Sequence, residues 1–251
     1  MVRTHVYISP HLDDAAFSCG ALIYQQAQAG ERVIVITVCA GDPPPGRLTP
    51  FAHGLHARWR LSAVEAVAAR RAEDVCAMQV LGATPVYLWV PDCIYRTSST
   101  GEAVVMSEAD LFGALSPLDE PLVTHVAAQI AHLLPRWEPV QVYAPLGIGQ
   151  HVDHQLTRRA AEQLGRPLIY VEDYPYAAKN SVQGAWGGLA YGLTPQILPV
   201  QERDWSAHCR AVAEYVSQIS SFWPDEAAMR LAVRQHLTAA AGEQLGLRVW
   251  R

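Results

Sequence analysis

The sequence predicts an α/β protein: one domain spanning residues 1–251, built on a mostly parallel sheet with helices on both faces. Two observations carry that reading. Short apolar runs rich in Val, Ile and Tyr alternate with longer, alanine-rich stretches of helical periodicity, the pattern of repeated strand–helix units. No linker, internal repeat or low-complexity segment interrupts the alternation, so the Pro-rich stretch 42–50 reads as a loop within that domain.

In chain order, Val6–Ser9 reads as the first strand and Asp14–Ala29 as the helix after it, stopped by Gly30. Val33–Cys39 is a β-branched run of the kind buried on both sheet faces. Gly41-Asp42-Pro43-Pro44-Pro45-Gly46 then breaks regular structure, and irregular chain is expected to about His56. Ser62–Leu81 has helical periodicity ending at Gly82, and Val86–Val90 reads as a strand stopped by Pro91. From Asp92 to about Leu118 the pattern is poor, which predicts a long functional loop with one short helix. Leu122–Trp137 is expected as a helix, Val140–Ala144 as a strand, Asp153–Leu164 as a helix ending at Gly165, and Leu168–Val171 as a strand. Tyr174–Trp186 reads as loop and Pro195–Val200 as an edge strand. Trp205–Phe222 reads as one helix, Pro224 opens another, and Gly246–Trp250 returns as a terminal strand.

Composition excludes several function classes. The net charge of −5 and a pI near 6, with no basic block, argue against a nucleic-acid or anionic-membrane surface. Five scattered cysteines without a C-x-x-C pair argue for reduced thiols rather than a disulfide framework or zinc knuckle. No signal-like N-terminus and no apolar run near the ~20 residues of a membrane helix are present, so a cytoplasmic protein is expected. Only 17% of residues are charged, which points to extensive internal surface or a homo-oligomer interface, and the helical 205–241 segment reads equally as amphipathic covering or as such an interface.

The chemistry gathers in two places. Ser9-Pro10-His11-Leu12-Asp13-Asp14 sits where the first strand gives way to a helix, at the carboxyl edge where open α/β sheets place their ligands. His11 and Asp14, three apart, can face one way, which leaves Asp13 as a spare base. His151-Val152-Asp153-His154 has the same address after the strand Val140–Ala144. Capping is the plainer role for each carboxylate taken singly, Asp13 or Asp14 on the first helix and Asp153 on the later one. Two such clusters at one sheet edge favour a metal site with a base beside it.

The pair P-H-L-D-D and H-V-D-H resembles the LmbE-like family, zinc N-deacetylases that include the de-N-acetylase of phosphatidylinositol-glycan synthesis. The resemblance runs from Ser9 to about Tyr176 and implies a Rossmann-like fold and removal of acetyl groups from N-acetylglucosamine-type substrates. Carried over by position, it makes His11, Asp14 and His154 the ligands of one Zn2+ per chain, Asp13 the general base, and His151 the group that stabilises or protonates the developing charge. Such a ligand set leaves an open position for water and would also accept Fe2+ or Co2+. A protonated His151 is expected to hold the oxyanion and feed the leaving amine, and Asp153 to fix a histidine tautomer.

The sequence departs from the family's common His-Pro-Asp-Asp-Glu at Leu12 and Ala15, neither of them an expected ligand. The H-L-D-D form and Glu172-Asp173-Tyr174-Pro175-Tyr176 are similar to the branch with glycopeptide-antibiotic sugar deacetylases. Arg70 with Glu73 matches the family's Arg-x-x-Glu, and Asp92 an acidic residue used on a sugar hydroxyl; a solvated helix pair and a loop-entry turn are their plainer roles. Asp42 shares the sheet edge and is a third substrate candidate, with a turn role favoured by the prolines behind it. Aromatic residues of 174–191 are candidates for a sugar-stacking wall or for simple core. The expected partner is an amino sugar or glycoconjugate. Rivals are an amidase on another amide, such as a sugar–thiol conjugate or antibiotic glycoside, a metal-binding scaffold without catalysis, and a nucleotide-binding protein. The last lacks a glycine-rich first turn, since Gly147 and Gly149 alone make no phosphate cradle.

Overall fold

The computed structural model describes residues 2–46, 48–59, 62–98, 100–135, 139–179, 188–242 and 244–251. Its strands are β1 (Thr4–Ser9), β2 (Arg32–Thr37), β3 (Thr84–Tyr87), β4 (Val140–Pro145), β5 (Leu168–Val171), β6 (Pro195–Pro199) and β7 (Gly246–Trp250). They form one sheet in the order β3-β2-β1-β4-β5-β7-β6. The first five run parallel, while β7 is antiparallel to both β5 and β6. After β1 the chain moves to β2 on one side, and it returns later to β4 on the other. The order therefore reverses between β1 and β4, and their carboxyl ends open a crevice there.

The helices are α1 (Asp14–Gln28), α2 (Pro50–Trp59), α3 (Ala63–Leu81), α4 (Glu108–Leu111), α5 (Glu120–Leu133), α6 (Val152–Glu162), α7 (Tyr176–Lys179), α8 (Glu202–Ala213), α9 (Val216–Phe222) and α10 (Glu226–Ala241). Strand side chains alternate between two cores, as the period of two requires. Tyr7, Val35 and Tyr143 pack under α1, α3, α8 and α10, while Val6, Ile8 and Val142 pack under α5 and α6. Each such fully buried aliphatic side chain contributes on the order of 1.5–3 kcal/mol. The expected doubly wound α/β sheet is present.

Element ends follow local chemistry. Ser62 caps α3 in a reciprocal box with Glu65, and Gly82, at φ 73°, ends it in the left-handed conformation that glycine adopts without strain. The poorly patterned Asp92–Leu118 stretch holds one short helix, α4, and two 3-10 turns. Helix α5 ends at Leu133; Trp137, its expected end, and residues 180–186 of the expected loop lie outside the described residues.

Two expectations are corrected. Irregular chain was expected to about His56, but Pro50 opens α2: Thr49 Oγ1 accepts from Ala52 N at 3.1 Å, so the last proline of the run is a helix start rather than a breaker. Trp205–Phe222 is two helices, α8 and α9, parted at Glu214–Tyr215. Glu73 replaces the interrupted bonds by accepting from Ser217 N at 2.8 Å and Ser217 Oγ at 2.7 Å. Among the described residues, no helix is long and apolar enough to cross a membrane.

Candidate active site

The carboxyl ends of β1 and β4 bring the two motifs together. Ser9 closes the first turn, its hydroxyl donating to His11 O at 2.6 Å and accepting from Ala15 N at 3.0 Å. Asp14, in the first turn of α1, accepts from His11 N at 2.8 Å through Oδ2. The same oxygen lies 3.0 Å from His11 Nδ1 and 3.3 Å from Nε2 of His154, in the first turn of α6. Ligand atoms of His11, Asp14 and His154 all lie within 4.8 Å of one another.

Each imidazole is aimed by a carboxylate behind it. His154 Nδ1–H donates to Asp173 Oδ1 at 2.6 Å, while Asp173 Oδ2 accepts from Gly147 N and Ile148 N at 2.7 and 2.8 Å. His11 Nε2–H donates to Asp153 Oδ2 at 3.1 Å. Asp153 has no exposure, and its other oxygen accepts from Arg96 Nη1 at 2.6 Å, with Asp119 gripping the rest of that guanidinium through two bonds. With those tautomers, His11 Nδ1 and His154 Nε2 present lone pairs toward Asp14 Oδ2, itself an acceptor. Three acceptors facing one another require a cation between them, either protons or a metal. Apart from the Asp14 oxygen at 3.3 Å, itself an acceptor, the buried Nε2 of His154 has no hydrogen-bond partner among the described residues, so the residues fit a metal ion.

The electrostatics point the same way. Burial pushes His11 and His154 down, but the carboxylates outweigh it: His11 rises well above the ordinary imidazole range and His154 to about 10. Against its own burial, Asp14 is held well below the carboxylate range by His154 and His11. His151 goes the other way, pushed well down by burial and by the neighbouring charge of His11. It caps α6, its Nδ1 accepting from Asp153 N at 3.2 Å, which leaves the ring proton on Nε2. The expected protonated His151 is thus replaced by a neutral Nε2–H donor.

Asp13 is buried beside this group, and Arg70 Nη2 donates to its Oδ1 at 3.0 Å. Arg70 Nε is buried and has no hydrogen-bond partner among the described residues. Asp13, Arg70, Asp92 and His151 line a cavity of about 170 Å³ with His11 and Asp14, and Asp92 Oδ2 lies 3.7 Å from His11 Nε2. Asp42 is not brought there: it is half-exposed and pairs with Arg71 at 2.6 Å. Glu73 turns away from Arg70 to cap α9.

Sequence reasoning missed Arg96, Asp119 and the role of Asp173, which carried only its place in the Glu172–Tyr176 stretch. It also missed the apolar rim of the cavity, where Leu55, Phe112 and Phe222 join Tyr176. The 174–191 aromatics divide. Tyr176 lines the cavity, Tyr174 is core against Trp223, and Tyr191 is 91% exposed. Gly149, at φ 92°, makes room for the Tyr176 ring, since a Cβ there would lie 2.8 Å from Cγ. All five thiols are free.

Comparison with other proteins places this geometry. The family model described as PIG-L, GlcNAc-PI de-N-acetylase, matches residues 6–164. The 2'-N-acetylparomamine deacetylase of Niallia circulans is 28% identical over 247 residues, which cover 91% of this chain and 86% of that protein. The structure of the zinc-inhibited form of teicoplanin deacetylase Orf2 superposes with a TM-score of 0.85 at 31% identity, covering 98% of this chain and 97% of the other. That of the A40926 pseudoaglycone deacetylase Dbv21 gives 0.78 at 30% identity, covering 98% and 95%.

Proposed function

The chain belongs to the PIG-L family of GlcNAc-PI de-N-acetylases, and we infer that it is a zinc-dependent hydrolase removing the N-acetyl group of an N-acetylglucosamine-type sugar or glycoconjugate. The single observation that carries this is the set of three mutually facing acceptors, His11 Nδ1, Asp14 Oδ2 and His154 Nε2, with the Asp13 carboxylate beside them. One zinc held by these three would act as a Lewis acid and lower the pKa of a water towards about 7. Fe2+ or Co2+ fits the same donors. Among the described residues, the other two His/Cys/Asp groupings both need Asp153, whose oxygens Arg96, His11 and Cys93 N already occupy.

Asp13 takes the proton of the attacking water as the acetamide carbonyl becomes tetrahedral, while Arg70 orients its carboxylate. His151 Nε2–H stabilises the oxyanion as a neutral donor. Because His151 has no second proton to give, Asp13 returns the water's proton to the nitrogen as the C–N bond breaks, releasing acetate and the free amine. Asp153 and Asp173 hold the two imidazoles in the required tautomers. The Arg70 guanidinium edge and Asp92, both lining the cavity, remain to meet sugar hydroxyls.

Leu55, Phe112, Tyr176 and Phe222 at the rim favour a glycoside with a bulky apolar aglycone over a polycationic aminoglycoside. The test is metal content together with amine release from three N-acetylated substrates: N-acetylglucosamine, a glycopeptide pseudoaglycone and 2'-N-acetylparomamine. Turnover led by the glycopeptide supports the whole reading. Turnover led by the aminoglycoside keeps the reaction and overturns the aglycone. A protein that binds no metal sinks the reaction itself.

A further inference from the structure

The C-terminal part of the chain lies beyond the residues matched by the family, yet one of its side chains is bonded to the loop carrying Asp13. Tyr215, fully buried at the break between α8 and α9, has its hydroxyl 2.8 Å from Leu12 O and 2.7 Å from Asp74 Oδ1. Asp74 is fully buried too, and its Oδ2 accepts from the Tyr87 hydroxyl at 2.7 Å.

Three short oxygen–oxygen contacts need three protons. The two phenols supply two; Leu12 O has none to give, and neither has an ionised Asp74. An ionised Asp74 would leave one pair of acceptors at hydrogen-bond distance with nothing between them. A neutral Asp74 closes the count: Tyr87 donates to Oδ2, the Oδ1–H donates to Tyr215, and Tyr215 donates to Leu12 O. Burial raises the Asp74 pKa to about 6 against the pull of the Tyr215 and Tyr87 hydroxyls, with the Asp13 charge adding to the rise and Arg70 opposing it. Phe17 packs edge-on against the Tyr215 ring, centroids 5.5 Å apart, and keeps it in place.

We propose that Tyr215 is a positioning residue for the catalytic loop, holding the Leu12 peptide and with it Asp13, and that it does so while Asp74 is a neutral acid. The inference rests on Asp13 being the base. When Asp74 ionises, it becomes the stronger acceptor and draws the Tyr215 proton, and the Leu12 carbonyl loses its donor. The peptide linking a metal ligand to the base is then free to shift.

The test combines two variants with a measurement that needs no turnover. Tyr215→Phe should lower kcat by about tenfold to a hundredfold, the scale of a small misplacement of a reacting group, with KM and metal content unchanged. Asp74→Asn keeps a donor to Tyr215 at every pH. It should retain wild-type kcat and lose the alkaline decline that the wild type shows as Asp74 ionises. Infrared difference spectra of wild type minus Asp74→Asn should show a protonated carboxyl C=O band in mildly acidic solution that fades as pH rises. Wild-type kcat in Tyr215→Phe, an unchanged alkaline decline in Asp74→Asn, or absence of that band would each overturn the proposal. A present band in a protein that releases no amine would instead locate the failure in the deacetylase reading.

Discussion

Asp173→Asn is the substitution whose effect can be followed atom by atom. Asp173 Oδ2 sits against two backbone donors, Gly147 N and Ile148 N, so the asparagine oxygen must take that place. Its NH2 then points at His154 Nδ1, where a carboxylate oxygen now lies at 2.6 Å. Two donors cannot face each other, so His154 must present a lone pair at Nδ1 and carry its proton on Nε2. Nε2 is the atom aimed at Asp14 and, in the proposed site, at the metal. Loss of a carboxylate behind a ligating imidazole typically weakens metal binding by about 10- to 100-fold, roughly 1.4–2.7 kcal/mol. Because the tautomer is also inverted, the upper end is expected here. Zinc affinity measured by chelator competition, with thermal unfolding of the metal-free variant as a control for folding, gives the answer. An affinity within about twofold of wild type would refute the assignment of Asp173 as the group that aims His154.

With Asp13 proposed as base and not as ligand, Asp13→Ala should keep bound metal and lose most turnover; loss of metal would show that the two roles are wrongly divided. Metal binding must displace protons from His11 and His154, both raised above the ordinary imidazole range. The logarithm of zinc affinity should therefore climb with pH by about two per unit below those pKa values, and a pH-independent affinity would place the metal elsewhere. His208 is held neutral by burial, its pKa lowered to about 4, while its Nε2–H donates to Phe17 O at 3.0 Å. A depressed pKa contributes stability above the unfolded value near 6.5 that is lost as pH falls towards 4, on the order of 3 kcal/mol. Urea unfolding of wild type and His208→Gln across that window should show a shallower pH slope in the variant; identical slopes would refute the burial argument.

The fold was legible because its signals are local. Strand and helix periods, the Gly30 and Gly82 stops, and two motifs at strand ends lie within a few residues of one another. The Thr49-Pro50 helix start was equally local, but read among three preceding prolines it passed for a breaker. The α8–α9 break has no glycine or proline to announce it and is held by Glu73 on Ser217, far away in the chain. Arg96 was invisible for the same reason: its partner Asp153 lies 57 residues on, and no motif joins them. Asp42 shows the converse, a residue with the right address along a strand whose side chain is claimed by Arg71 at the surface.

The cavity divides its labour between different parts of the chain. Its floor belongs to the sheet edge, while Leu55, Tyr176 and Phe222 are carried by the short helices α2, α7 and α9, and Phe112 is the residue that ends α4. Helix α2, for example, docks through His56 on Tyr95. Within this rim Phe112 and Tyr176, with ring centroids 6.2 Å apart, should show coupled substitution. A lineage could exchange one aglycone for another by replacing such a segment wholesale, and a directed-evolution library confined to these four positions would retrace that route with the hydrolytic groups untouched.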